Sequence, residues 1–464
     1  MNKIISRVSY FYVAVPFLIF VIGFVRWYIS MPIVLITVWG LISMWKDADE
    51  FEIKPKTTKD RIILIIAFAV TLLWVILSGI GNVTWQNEDH IWRNALFKIL
   101  VDYDWPPVNS EGRGLTYYSG FWLPSALVGK VLGLRAGFIF QIVWAAIGVY
   151  LVYLYICEYL KRIAILPFII FVFFSGLDIV GAHIPDLFTH SFSYIPLYTH
   201  IETWAGTRVF LYSGITTQLF WVFNQCIYSW LVLMMILKSK TNKHMVFLMG
   251  LSFISSVFGF MGLIPIAIYC AFTKKQLFSL QNIVCGGATG ILTLLYYIGN
   301  DASKSTSSIG LPASIDITTS FPLYLYICFI VLEVLVYVAL AFKYNKKDPL
   351  FYITAVFLMI CPLIKFGGSI DFCMRASIPC LMLLSLYVID AFYRSRENKD
   401  NVLTILITIT LLIGSITAVQ EIYRTILNTS LNTPRYFGTE SNIFDEGNFS
   451  CDADDTVFFK YIGY

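Results

Sequence analysis

The chain has 464 residues, of which 58% are hydrophobic and only 13% charged. Soluble domains carry about 25% charged residues, so this composition excludes two or three soluble domains and predicts one all-α polytopic membrane domain. The net charge of +4 comes with no basic stripe or nucleic-acid motif, which excludes a nucleic-acid partner.

The aromatic content, 17% with 12 Trp and 28 Tyr, suits belts at the membrane–water interface and also suits sugar binding. Seven of the nine cysteines (Cys157, Cys226, Cys270, Cys285, Cys328, Cys361, Cys380) lie in or beside apolar runs and read as small buried hydrophobes. Cys373 and Cys451 fall in loops, and no CxxC spacing points to zinc or a disulfide framework.

At the N-terminus Lys3 and Arg7 precede the apolar run Val8–Val25, and no small-residue cleavage site follows, so this is read as an uncleaved first helix. A span needs about 20 apolar residues. The runs 8–25, 31–45, 62–81, 137–157, 163–180, 216–237, 282–299, 320–342, 350–366, 376–393 and 402–420 meet that need. The uncharged stretch 245–273 is one bent helix or two short spans broken near Gly259 and Gly262, so the expected count is about 11–13 transmembrane helices.

Sidedness follows from Lys and Arg. The N-terminus and the turns near 46–61, 158–162, 238–243, 274–275, 343–347 and 394–399 hold 20 of the 33 basic residues. Placing them in the cytoplasm requires two spans in 245–273 and requires that 117–134, with Pro124 and Lys130 inside it, does not cross. The N-terminus is then cytoplasmic, and long outward loops lie at 82–136, 181–215, 300–319 and 367–375. The expected division is a transmembrane domain over 1–420 and a short extracytoplasmic tail over 421–464, which is a small folded lid or a flexible end. No internal repeat is visible, which weakens a transporter reading.

The loop 82–136 is the richest segment. Glu88 and Asp89 follow a membrane helix, and a helical period then begins. His90, Asn94, Lys98 and Asp102 make a polar ridge opposite Trp92, Leu96, Ile99 and Leu100, the pattern of an interfacial helix. It ends at Trp105-Pro106-Pro107. Such a helix holds the two carboxylates at headgroup depth; the alternative is that they only cap it. Asp89 beside His90 is a weak divalent-metal signal.

Farther on, Asp178 falls at the outer end of a span, where an ionised group is costly and needs a partner or a task. Glu202 beside Trp204 suits a sugar, or is an ordinary solvated loop residue. Gln218, Asn224 and Gln225 read as interhelix amides. Arg375, after Gly367, Gly368 and Asp371, suits a phosphate at headgroup level or an Arg375–Asp371 ion pair. Glu333 lies mid-span and needs a bundle-facing partner. His183 and His190 read as structural.

These features together resemble the GT-C superfamily of membrane glycosyltransferases, bacterial enzymes of the polyprenyl-phosphate-sugar-dependent type among them. The likeness rests on Glu88-Asp89, the helix 90–102, the Trp105-Pro106-Pro107 turn and Tyr117-Tyr118-Ser119-Gly120-Phe121-Trp122-Leu123-Pro124. Asp89…Asn94-Ala95, Ser175-Gly176-Leu177-Asp178, Glu202-Thr203-Trp204 and Met374-Arg375-Ala376-Ser377 add to it. The departure is that two spans precede the expected first helix.

The resemblance implies a cell-envelope polysaccharide enzyme of a bacterial inner membrane with an extracytoplasmic active face. Its donor is a polyprenyl-phosphate-linked sugar and its acceptor a glycan or lipid-linked molecule. It implies inverting displacement with Asp89 as the catalytic base and Glu88 as a second catalytic residue that orients the acceptor, binds a metal or replaces Asp89 as base. Asp178, Glu202, Trp204, Arg375, Tyr117 and Tyr118 bind substrate, and magnesium or manganese is the candidate metal. The rival readings are an O-antigen-type polymerase or ligase and a lipid-linked glycan flippase.

Overall fold

The computed structural model describes residues 3–184, 194–204, 210–301, 308–309, 321–365, 371–434 and 437–463. His190, Gly367 and Gly368 lie outside them. Helices α1 (Ile4–Phe24) and α2 (Trp27–Lys46) form a hairpin, and α3 (Thr58–Leu77) opens on a reciprocal cap. There the Asp60 N–H donates to the Thr57 hydroxyl at 3.1 Å and the Thr57 N–H to the Asp60 carboxylate at 2.9 Å. The first long loop holds α4 (His90–Asp102), β1 (Arg113–Leu115) and α5 (Leu123–Leu132).

Then come α6 (Leu134–Tyr159), α7 (Leu166–Val172), α8 (Asp178–Ala182), α9 (Ile215–Lys238), α10 (Met245–Phe253) and α11 (Val257–Thr273). A π turn, Gln281–Gly286, runs into α12 (Gly287–Ile298), and β2 (Ser308–Ile309) follows. Another π turn, Val331–Leu335, joins α13 (Phe321–Ile330) to α14 (Val336–Asn345). The chain closes with α15 (Pro349–Ile360), β3 (Ile364–Lys365), α16 (Asp371–Ala376), α17 (Ile378–Glu397), α18 (Asn401–Ser430), α19 (Ser441–Phe444) and β4 (Ser450–Asp452).

Among the described residues, eight helices are long and apolar enough to cross a bilayer, fewer than the 11–13 expected. This is a helical, multi-pass membrane protein whose remaining apolar runs are broken or short. The run 163–180 is helical only over Leu166–Val172 before it unwinds. Bilayer-depth backbone must find partners inside the protein. Here the Thr216 hydroxyl donates to Val172 O and the Tyr337 hydroxyl to Ser175 O, both at 2.6 Å. The Ile215 N–H donates to Phe174 O at 2.9 Å.

The run 245–273 is two helices, and it breaks at Ile254–Ser256, before the two glycines. The Tyr297 hydroxyl and the Gly120 N–H donate to the freed Ile254 carbonyl at 3.0 and 3.1 Å. Asn242 Nδ2 donates to Cys270 O at 2.6 Å and to Lys274 O at 2.8 Å, tying the two feet of this hairpin together. Gly262 serves packing: a Cβ there would lie 1.9 Å from Ala376 O.

One end of the bundle gathers the basic turns. Glu158 there accepts from the Glu52 and Ile53 N–H groups at 3.0 and 3.1 Å and pairs with Lys161 at 3.0 Å and Lys238 at 2.8 Å. Lys343 pairs with Asp400 at 2.5 Å, and Lys243 with Asp47 at 2.7 Å. Central α9 and α17 are mostly buried, whereas α2, α3 and α18 are mostly exposed to the surroundings and turn apolar residues such as Leu35, Ile65 and Leu412 outward.

The opposite end carries the long loops. α5 has 10 residues, about 15 Å of helix, too short for a hydrocarbon core of about 30 Å. It folds back beside α4, where Lys130 Nζ donates to Val101 O at 3.1 Å. Gly133, at φ +89°, makes the turn into α6 in a region that side chains with a Cβ disfavour. The segment 117–134 therefore does not cross.

α18 extends past residue 420 to Ser430. Residues 437–463 form a folded strap. β4 pairs antiparallel with β1 (Gly114 opposite Cys451), and Gly463 bridges to Val25.

Candidate functional site

The loop after α3 is tied down by its amides. Gln86 Nε2 donates to Gly79 O at 2.8 Å, Asn94 Nδ2 donates to Gln86 Oε1 at 2.7 Å, and Asn87 Nδ2 donates to Phe220 O at 2.9 Å. These bonds draw His90 and Asn94 inward, so the expected exposed ridge is half buried. α4 lies between the bundle and the strap, with Trp92 Nε1 donating to Glu446 at 2.8 Å.

Asp89 stands at the N-cap position without a side-chain cap bond. Its Oδ2 instead accepts from Arg93 Nη2 at 2.8 Å. Glu88 is exposed at the surface. His90 turns away from Asp89. It is buried, stacks on Phe223 at 5.7 Å, and has Nδ1 3.2 Å from Gln86 Nε2. Burial, then the charge of Arg93, holds its pKa well below 6.5, so the ring is neutral. Asp89 and His90 thus make contacts with different partners, and no group of three His, Cys, Asp or Glu able to hold a metal occurs among the described residues.

Arg375, on α16, meets the first loop from the far end of the sequence. Its Nη1 donates to the Tyr118 hydroxyl at 2.7 Å, and its Nη2 lies 3.3 Å from Asp371 Oδ1. Tyr118 rests on Tyr117 with ring centroids 3.7 Å apart. Burial pushes both phenols' pKa up, so they remain protonated donors. Burial opposes the Arg375 charge, but Asp371, the two phenols and Asp89 outweigh it and raise its pKa. The charge of Arg93 also reaches both tyrosines.

One polar patch thus contains Asp89, Arg93, Tyr117, Tyr118, Asp371 and Arg375. Its floor is aromatic. Arg93 lies 5.1 Å from the Phe223 ring and Arg375 5.8 Å from Phe258. Each guanidinium binds an aspartate four residues before it and keeps one buried N–H group, Arg93 Nη1 or Arg375 Nε, with no acceptor among the described residues. Such half-satisfied donors suit an anion.

Asp178, Glu202 and Trp204 lie in a second cluster. Asp178 is buried, and its Oδ2 accepts from the Ser175 and Thr417 hydroxyls, both at 2.8 Å. The mid-span acid Glu333 is its electrostatic neighbour. Glu333 lies against Gly176, where a Cβ would fall 1.5 Å from its Oε2.

Glu202 Oε1 accepts from the Gly214 N–H at 2.8 Å, and burial followed by the charge of Asp178 holds its pKa well above 4.5. His200 Nδ1 is 2.8 Å from Glu421, which also accepts from Trp221 Nε1 at 2.9 Å and pairs with Arg424. Trp204 is buried against Phe329 at 5.5 Å and offers no open ring face. A cavity of about 10 Å³ beside Glu333 is room for about one water.

Sequence reading missed Arg93, although its spacing from Asp89 is that of a helical ion pair. It also missed Glu421 and Arg424, placed in a polar tail. No family model, curated protein or solved structure matches this chain.

Proposed function

We propose that this chain is a membrane glycosyltransferase of GT-C-like design, working at the outer face with the basic end in the cytoplasm. It transfers a sugar from a polyprenyl-phosphate donor to a glycan or lipid-linked acceptor. The observation that carries the reading is the convergence of Asp89 with two half-satisfied guanidiniums, Arg93 and Arg375, on one patch at the loop-bearing end of the bundle.

In this reading Asp89 takes the proton of the acceptor hydroxyl as that oxygen bonds to the anomeric carbon. The bond from that carbon to the phosphate oxygen breaks, and its electron pair leaves with the polyprenyl phosphate. Arg93 and Arg375 neutralise the departing phosphate, with the Tyr118 hydroxyl beside it. A single displacement inverts the anomeric centre. Exposed Glu88 stands at the rim, where it orients the acceptor.

A polymerase or ligase acting on lipid-pyrophosphate glycans is the second reading, favoured by the second guanidinium. Lipid-linked glycan analysis of cells lacking the protein, complemented by the parent and by Asp89→Asn, tests the first. An accumulated polyprenyl-phosphate sugar, cleared by the parent and not by the variant, supports it. Accumulated lipid-pyrophosphate glycan favours the second.

A further inference from the structure

The proposed reaction uses no residue of the strap, yet the strap touches the site. The Thr116 N–H donates to Phe449 O at 2.8 Å, and the Phe449 ring lies 4.4 Å from Tyr117. Tyr117 carries Tyr118, which binds Arg375. A continuous chain of contacts therefore runs from Phe449 to the guanidinium.

The strap is held on both sides of this contact. Arg113 donates through Nε to Phe444 O at 3.2 Å and through Nη2 to Ser450 Oγ at 2.6 Å, and pairs with Asp301 at 2.7 Å. Asn300 Nδ2 donates to Thr116 O at 2.6 Å and Asn448 O at 3.1 Å, fixing loop and strap to one helix end. Farther along, Arg26 Nε donates to Gly463 O at 2.6 Å, and the Phe458 ring lies 4.9 Å from Tyr296. Phe459 covers Gly114, where a Cβ would lie 2.6 Å from its ring.

We infer that the C-terminal strap is part of the site and that Phe449 is a positioning residue, holding the Tyr117–Tyr118 pair so that the Tyr118 hydroxyl stays on Arg375. Phe449 does not reach the reacting atoms. It acts through the tyrosines, so its removal weakens capture of the phosphate more than it slows the transfer step. The contribution to donor binding rests on the transferase reading; the effect on Arg375 does not.

The test uses the full chain purified in detergent, with the arginine reagent phenylglyoxal as probe and mass spectrometry as readout. In Phe449→Ala the freed guanidinium of Arg375 is modified about two- to tenfold faster, the range expected from loss of an aromatic pair. Phe449→Tyr restores the parental rate. Phe459→Leu loosens the strap elsewhere and leaves the Arg375 rate unchanged. With a polyprenyl-phosphate sugar donor, Phe449→Ala raises KM by a similar factor and changes kcat less than about threefold.

An Arg375 modification rate in Phe449→Ala equal to the parent's overturns the inference, and so does an equal rise in Phe459→Leu. If Phe449→Ala does not fold, Phe449→Leu is read by the same criteria. A faster Arg375 rate in a protein whose parent transfers no sugar upholds the positioning role and refutes the transferase.

Discussion

Asp89→Asn separates the chemical role of this carboxylate from its structural one. In the parent, Asp89 Oδ2 accepts from Arg93 Nη2 at 2.8 Å, with side chains 38% and 9% exposed. Asparagine keeps an acceptor oxygen in the same place and loses the charge. A hydrogen bond to a charged group contributes about 1.5–3 kcal/mol and a neutral one about 0.5–1.5. Arg93 remains charged, and solvent already screens Asp89, so the stability loss is about 1 kcal/mol or less.

Loss of a general base costs about 10²–10⁴-fold in rate, which a change of that size in folding does not produce. The assay pairs thermal unfolding of the detergent-solubilised protein with single-turnover transfer from a polyprenyl-phosphate sugar. The expected result is a midpoint within about 2–4 °C of the parent and a turnover at least about 100-fold slower. Asp89→Ala, which leaves Arg93 buried without its anion, adds about 1–3 kcal/mol of destabilisation. Parental turnover in a well-expressed Asp89→Asn would refute the assignment of this residue as the base.

Arg375→Lys keeps the charge but not the planar fork that reaches Tyr118 and Asp371 together. Transfer should fall about 10- to 100-fold with the fold intact, and unchanged kinetics would remove Arg375 from the site. Gly176→Ala forces a methyl group toward Glu333 Oε2, 1.5 Å from the ideal Cβ, and should destabilise by about 1–3 kcal/mol. Adding Glu333→Asp, one methylene shorter, should recover part of that loss in thermal unfolding. Glu202 tests the pH dependence. Its folded pKa is raised well above 4.5, by burial first and then by Asp178. Its stabilising share is therefore full below 4.5 and is lost as pH rises through the folded value. Glu202→Gln keeps an acceptor for the Gly214 N–H and cannot ionise, so its unfolding midpoint should fall less than the parent's on going from mildly acidic to alkaline pH. Parallel pH curves would show that Glu202 does not titrate with folding.

The membrane class was legible because it depends on composition alone: a chain with 13% charged residues cannot cover a soluble surface. The alternation of basic turns likewise called for two passes in 245–273 and none in 117–134; the structure breaks the first into two helices, one of only 9 residues, and leaves a single 10-residue helix in the second. Hydropathy could not locate the breaks at 173–177 and 254–256. Those depend on distant donors, Tyr337, Thr216, Gly120 and Tyr297, that capture the freed carbonyls.

Local spacing singled out Asp89 and Arg375 and already contained the i, i+4 spacing of the Asp89–Arg93 pair. It held no sign that Tyr118 joins Arg375 across 257 positions, that Asp178 meets Glu333, or that Phe449 stacks on Tyr117. Charge and apolar period are properties of short stretches, so the sequence by itself determined the membrane class and the helical ion pair at Asp89. Which acids pair with each other and which remain beside a guanidinium is decided by packing between segments far apart in the chain, and only the tertiary structure brings those together.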